Sequence, residues 1–486
     1  MGSWVNYKVL LTCKSKSIFP VYKNTIDMKQ RLVFIWSVWI LLLPGHSPSL
    51  FSQTSAGATM LAGAAKVNVT PEKEDLPEQY LGIHDSIYSR AIVVRSSSDT
   101  VALITVDMGG FHNPMAERLL SRIEQETGIP RENIMLTASH THSVPFGIGG
   151  EAFESRIVQS VKLAMEHLQP ARMGFGEGVS YINVNRNIID PETRRWWEGP
   201  NYEGPSDKTV AVVLFETLEG KPIAVYYNYA MHSVISGMFD LVSGDVPGAS
   251  SRYIENHFDG DMVAVWSLGA AGDQNPIYYQ QTYDLRNIRI ADYARRGIDI
   301  SNSMPPGGQG LDRNDPQTRK LMDEQEQMLL SMGQFLGEEV LHVMRGMKRK
   351  VVNPEIFVAR KTITCPGRNR LDEGRAGYAG TYEDADPVEI KLGLIVIGDI
   401  AFSSVNGEVF NPISTRLKSE SPYAHTLMLT LTNGFARSGY IPNDAAFGTY
   451  TFEVLSSRLQ PGYAEDAIVN GILDMMYESS NHIVSE

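Results

Sequence analysis

Val101-Ala102-Leu103-Ile104-Thr105-Val106-Asp107 and Ile134-Met135-Leu136-Thr137-Ala138-Ser139-His140-Thr141-His142-Ser143 are the two stretches that decide the fold class. Each opens with an apolar, partly β-branched run of strand length. Between them, Met115, Leu119, Leu120 and Ile123 recur at helical spacing. Asn113 is placed to cap that helix, Pro114 suits its first turn and Gly128 stops it. Strand, helix, strand over this length predicts a βαβ unit with parallel strands and a right-handed crossover. Asp107 and His140 then fall at the carboxyl ends of two parallel strands, where open α/β sheets bind ligands.

The same alternation continues outward. Ser89 to Arg95 precedes Val101 to Asp107 across the turn Ser96-Ser97-Ser98-Asp99, and Val210 to Glu216 pairs with Ile223 to Tyr229 across Glu219-Gly220-Lys221. The latter strand runs out at His232. Asp245 is placed to cap a helix from Val246 to His257, and Met262 to Leu268 is a strand entering the loop that begins at Gly269. Leu392 to Ile397, Ala401 to Val405 and Thr426 to Leu431 read as strands, Gln317 to Gly346 and Ala464 to Tyr477 as helices. The expected class is α/β, with mixed β-sheets flanked by helices. Two stretches, Tyr283 to Asp315 and Cys365 to Pro387, are rich in Gly, Arg and Asp and read as long loops, hence candidate lids.

Composition narrows the function classes. Among 486 residues, 43 Lys plus Arg face 56 Asp plus Glu, a net charge of −13, with 43 % hydrophobic and 20 % charged residues. That is a globular mixture, and an acidic chain without a dense basic run has no footprint for nucleic acid, whose phosphates dominate binding affinity. Met28-Lys29-Gln30-Arg31, the uncharged run Leu32 to Leu43 and the small residues after Pro44-Gly45 form a secretory signal pattern. Its apolar run falls short of the roughly 20 residues of a bilayer span. Residues 1–52 are therefore expected to be removed. A single domain, 53–486, would remain, secreted or periplasmic and without stable membrane insertion. Cys13 would leave with the signal, so Cys365 has no disulfide partner.

Chemistry concentrates around His140 and His142. Two histidines at i and i+2 of an extended segment face one side, and imidazole is a common zinc ligand. The spacing alone is equally compatible with hydrogen-bonded structural histidines, and Ser143-Val144 excludes the His-x-His-x-Asp-His pattern of metallo-β-lactamases. His232 ends a buried strand near Ser243-Gly244-Asp245, whereas His167, His257 and His342 sit in helical patterns and read as structural or exposed.

The run Asn133 to Ser143 resembles the first signature of the neutral (non-lysosomal) ceramidase family, a strand followed by His-Thr-His-Ser. Seven further segments resemble that family in order. They are Gly82-Ile83-His84 through Ala91, Asn185-Arg186, Asp207-Lys208-Thr209-Val210, Tyr229-Ala230-Met231-His232, Gly272-Asp273-Gln274-Asn275-Pro276, Gly407-Glu408-Val409-Phe410 and Gly439-Tyr440-Ile441. The resemblance implies one catalytic Zn²⁺ held by His140, His232, Glu408 and Tyr440, with hydrolysis of an amide by metal-activated water. It further implies His142 as an acid/base or outer residue and Arg186 as a substrate or oxyanion contact. Asp107 either orients a histidine or is a hydrogen-bonded strand-end carboxylate.

Three departures from the family pattern bear on mechanism. Asn275 replaces the serine, which removes a nucleophile but leaves an amide that can donate to an oxyanion. Val144-Pro145-Phe146 replaces Gly-Pro-Gly after the histidines. Little chain follows the helical stretch near 477, so the family's C-terminal β-sandwich is not expected. The implied protein is an exported zinc amidohydrolase acting on a ceramide-like or other N-acyl substrate, lipid or small molecule. A hydrolase of a more polar amide or ester, which Trp196 and Trp197 would accommodate, and an inert binding homologue are the alternatives. The oligomeric state is not legible.

Overall fold

Asp99–Val106 runs parallel to Ile134–Ala138, from Ala102 opposite Ile134 to Val106 opposite Ala138, with helix Asn113–Thr127 between them. The βαβ expectation is met. Gly128 ends the helix with φ 75°, its N–H on the Glu124 carbonyl, a left-handed cap that needs no Cβ. Asn113 is the first helical residue rather than the cap; its side-chain oxygen accepts instead from the Phe435 N–H.

The computed structural model describes residues 59–96, 99–300, 311–374 and 376–485. The signal-like segment 28–43, the turn residues Ser97-Ser98 and Pro305-Pro306-Gly307-Gly308 lie outside the described residues. Eight strands form the larger sheet, in the spatial order Val263–Leu268, Pro222–Tyr229, Thr209–Thr217, Gln169–Val179, Leu61–Asn68, Tyr88–Ser96, Asp99–Val106, Ile134–Ala138. Its two outermost pairs are parallel and the interior pairs antiparallel. The sheet curls, because the Thr105 hydroxyl near one end donates to the Trp266 carbonyl at the other, 2.5 Å away. That curl brings the strand preceding His140 toward the one preceding His232.

Alternation along the strands sorts the side chains into two buried faces. One face, including Val93, Ile104, Leu136, Val212 and Tyr227, packs against the helices Asn113–Thr127, Glu151–Glu166, Asp245–His257 and Pro316–Gly346. The other, including Ile92, Leu103, Val213 and Tyr226, packs against a second sheet through Ile395, Phe402 and Leu427. That sheet comprises Ile356–Arg370, Tyr382–Ile397, Ile400–Val405 and His425–Leu429, and its far side is covered by Ile468, Val469 and Ile472 of helix Ala464–Ser485. Helix, sheet, sheet, helix is the layer order. Each sheet is buried on both faces, which is why so many of these strands read as unbroken apolar runs.

Both candidate lids contain regular elements. Gln280–Arg295 is a helix that takes up the start of the first stretch, and the described remainder, 296–300 and 311–315, holds no helix or strand. The second is mostly a long antiparallel hairpin, pairing Cys365 with Val388 and Arg370 with Tyr382. Its outer half is largely polar and mostly exposed or half-buried, so its residues carry no apolar alternation by which a strand is recognised. Among the described residues, no helix is long and apolar enough to cross a membrane, and Cys365 is buried and unpaired.

A buried ion network ties the larger sheet to its helices. Arg90, 2 % exposed, donates from Nε to Glu255 Oε1 (2.9 Å) and from Nη1 to Asp107 Oδ2 (3.0 Å), while Lys66 reaches Glu255 Oε2 at 2.7 Å. Removing one member of such a network leaves a charge buried without its partner, at a cost of about 3–5 kcal/mol. Arg90→Leu is therefore expected to lower unfolding free energy by about that amount in urea denaturation; a loss within about 0.5 kcal/mol, as at an ordinary surface site, would contradict this.

Candidate active site

Four chain segments converge beyond the strand ends. His140 lies just past Ala138 and adopts φ 62°, a left-handed conformation uncommon outside glycine, so the backbone is bent here rather than extended. The bend still turns His140 and His142 together, with their Nε2 atoms 3.4 Å apart. Thr141 bridges in parallel to Ser233, and the His142 N–H donates to the Ser233 carbonyl at 2.9 Å. The segment after His140 is thereby stitched to the segment after His232. Glu408 and Tyr440 are register partners in a short parallel pair, Glu408–Val409 with Tyr440–Ile441.

The two buried imidazoles are oriented alike. His140 Nδ1 meets the Gly109 carbonyl at 2.6 Å, and His232 Nδ1 meets the Ala271 carbonyl at 2.6 Å. A carbonyl only accepts, so each Nδ1 carries a proton, and in the neutral ring each Nε2 presents a lone pair. Both Nε2 atoms lie 3.3 Å from Glu408 Oε2. His232 Nε2 and Glu408 Oε2 are nevertheless buried without a hydrogen-bond partner. The Tyr440 ring stands 6.5 Å from that of His232, between centroids. His140, His142 and His232 also have ring nitrogens within 4.8 Å of one another.

Electrostatics follow from this packing. Burial opposes charge on Glu408, but His140 and then His232 outweigh it and hold the carboxyl well below its ordinary range. Burial likewise opposes charge on His140, and Glu408 overcomes it, raising its pKa. His232 is pushed down to about 4 by burial and by Arg186. His142 has solvent at its ring, yet desolvation by the protein around it, aided by His140 and His232, keeps its pKa well below the ordinary value. Two imidazoles around one carboxylate, with orphaned N and O atoms facing each other at His232 and Glu408, are a donor set that suits a Zn²⁺ ion.

The remaining expected residues are placed differently. Asp107 does not orient a histidine: its Oδ2 accepts from the Tyr88 N–H and from Arg90, and it belongs to the ion network. The group that orients His140 is the Gly109 carbonyl, two residues further on. Arg186 is 6 % exposed and bound on three sides, to Glu453 Oε1 (2.6 Å), Asn275 Oδ1 (3.3 Å) and the Gly272 carbonyl (2.8 Å), with its guanidinium 5.3 Å from the Tyr440 ring centroid. Asn275 is 2 % exposed, and its Nδ2 donates to Glu198 Oε1 at 2.8 Å. Glu198 in turn accepts from Arg286. Gly272 sits where a Cβ would come within 2.9 Å of the Glu408 and Val409 carbonyls, so only glycine lets the Asn275 loop lie against the Glu408 strand.

Sequence reasoning missed Glu453, Glu198 and the carbonyls of Gly109 and Ala271. No residue pattern marks them, since a backbone carbonyl has no side-chain signature and each carboxylate acts through a partner distant in the chain.

Comparison with known proteins places this geometry. Residues 74–282 match the family model of neutral/alkaline non-lysosomal ceramidase, N-terminal. Neutral ceramidase A of Dictyostelium discoideum is 25 % identical over 294 residues, covering 51 % of this chain and 41 % of that protein. Neutral ceramidase of Pseudomonas aeruginosa is 26 % identical over 259 residues, covering 49 % and 38 %. The matched regions thus span well under two thirds of these relatives. Among solved structures, a ceramidase complexed with C2 superposes with a TM-score of 0.65 at 17 % identity, covering 87 % of this chain and 76 % of that one. The neutral ceramidase of Pseudomonas aeruginosa gives 0.64 at 16 %, covering 87 % and 75 %. Over the segment 74–282 and in its fold, the chain is similar to the neutral/alkaline non-lysosomal ceramidases.

Proposed function

We propose that the chain hydrolyses an amide bond in an N-acyl substrate of ceramide type, using one Zn²⁺ held by His140, His232, Glu408 and Tyr440. The observation that carries this reading is the pair of Nε2 lone pairs directed at one Glu408 oxygen, with His232 Nε2 and Glu408 Oε2 left without hydrogen bonds in a buried setting. Unsatisfied buried polar atoms are costly, and a cation would satisfy both. Bound there, zinc would supply Lewis acidity and an acidified water.

The chain's own groups account for the rest. His142 is uncharged and reachable from solvent, so its ring can accept a proton from the attacking water and return it to the leaving nitrogen. The carbon–nitrogen bond breaks as the carbon–oxygen bond forms, releasing a carboxylic acid and an amine. Arg186 positions the Asn275 loop and Tyr440 rather than lying free for substrate. Asn275 has no nucleophilic atom and is committed to Arg186 and Glu198, which supports direct attack by water over an acyl-enzyme. The signal-like segment beginning at Met28 supports secretion or export to a periplasm, and 53–486 is read as one catalytic domain.

A chelator should abolish amine release from an N-acyl substrate panel, and added zinc should restore it; full turnover in chelated protein would contradict the metal's role. His232→Ala should weaken zinc binding by more than the roughly 10–100-fold typical of losing an outer-shell partner. A fully metallated, active His232→Ala protein would refute the ligand assignment. Native enzyme quenched during turnover should show no mass increase from a covalent acyl group, and Asn275→Ser should retain hydrolysis; a trapped acyl adduct in the native protein would overturn the direct route.

A further inference from the structure

Asp245 is fully buried, its carboxylate accepts from the Ser236 N–H, the Ser236 hydroxyl and the Val246 N–H, and it takes no part in the chemistry above. It was expected to cap a helix as the residue before it, but Gly244 holds that place and Asp245 is the first helical residue, with φ 54°. Burial raises its pKa. A carboxylate kept in so unfavourable a place, on a backbone conformation that L-residues resist, invites a reason in what it holds.

What it holds are the two histidine loops. Asp245 Oδ2 accepts from the Ser236 N–H at 2.7 Å and from the Ser236 hydroxyl at 2.5 Å, and Ser236 lies four residues after His232. The Ser236 hydroxyl also meets the Ser143 hydroxyl at 2.7 Å, and Ser143 follows His142 directly. From the other side, the Ser243 carbonyl accepts from the Thr141 hydroxyl at 2.8 Å, and the Ser243 N–H donates to the Ser143 carbonyl at 3.1 Å. The Ser243 hydroxyl returns to Asp245 through the Asp245 N–H at 3.0 Å. Ser143, Ser236 and Ser243 are all buried, so no water competes for these bonds.

We propose that Asp245 is a positioning residue that clasps the loop of His140 and His142 to the loop of His232, fixing the distance between the imidazoles through Ser236 and Ser143. The catalytic consequence rests on the hydrolase reading, whereas the clasp itself does not. A hydroxyl pair alone has freely rotating protons. The carboxyl oxygen that also accepts the Ser236 N–H orients the Ser236 hydroxyl as a donor to Asp245, which leaves Ser236 to accept from Ser143 and gives the chain one direction. Asp245→Asn keeps an acceptor oxygen and tolerates the left-handed backbone. Asp245→Ala keeps neither advantage.

The test compares native protein, Asp245→Asn and Asp245→Ala, all below their melting transitions, by imidazole nitrogen NMR of histidine-labelled chains. His167, bound to the Ala64 carbonyl, and His425, stacked on Phe175, serve as internal references. In Asp245→Ala the His142 and His232 signals should shift or broaden while the references stay, and Asp245→Asn should recover most of the native pattern. With an N-acyl substrate, Asp245→Ala should lose roughly 10–100-fold in kcat with little change in KM, as expected for misplaced acid/base and ligand groups. A lowered melting temperature with native His142 and His232 signals would overturn the proposal. If native protein turns over no amide, the hydrolase reading fails, and the NMR comparison still decides the clasp.

Discussion

Two imidazoles facing one carboxylate oxygen, in a buried place where His232 Nε2 and Glu408 Oε2 find no hydrogen-bond partner, are the constraint around which the rest of the chain is arranged. His140 arrives from one end of a curled sheet, His232 from near the other, and Glu408 from the separate two-stranded pair it forms with Tyr440. Nothing local brings them together. The curl closed by Thr105 and Trp266, the bridge from Thr141 to Ser233 and the contact of Gly272 with the Glu408 strand each remove one freedom from the cluster. Carbonyls of Gly109 and Ala271 then fix which nitrogen of each ring is free. The result is a preorganised donor set, which costs no rearrangement when a cation arrives.

On the flank beside Tyr440 the chain has replaced reactivity with rigidity. The position that carries serine in the family pattern is Asn275, and its amide is held at both ends, by Arg186 and by Glu198. Arg186 is itself locked to Glu453, whose second oxygen is buried without a partner.

Much of this was legible in the sequence, for physical reasons that vary by element. The βαβ unit was readable because Val101 to Asp107 and Ile134 to Ala138 are buried on both faces and the helix between has a glycine stop. His140 and His232 could be placed at strand ends, but Glu408 and Tyr440 carry no periodic signal and came only through family resemblance. Asp107 stayed between two readings, since a carboxylate at a strand end looks the same whether it meets a histidine or, as here, Arg90. The outer part of the hairpin, 368–370 with 382–386, was hidden because its residues are mostly polar and exposed or half-buried, and the backbone bend at His140 had no glycine to announce it. Asp245 was recognised as belonging to a helix start, while its bond to Ser236 depends on a tertiary contact that no local pattern encodes.

The cluster admits two ligand sets, one through Glu408 and Tyr440 and one through the third histidine, His142. Calorimetric titration of Zn²⁺ into metal-free native protein, Glu408→Gln and His142→Ala separates them. The account requires one ion per native chain, near-native affinity in His142→Ala and a large loss in Glu408→Gln. Binding that survives in Glu408→Gln but is lost in His142→Ala would contradict it.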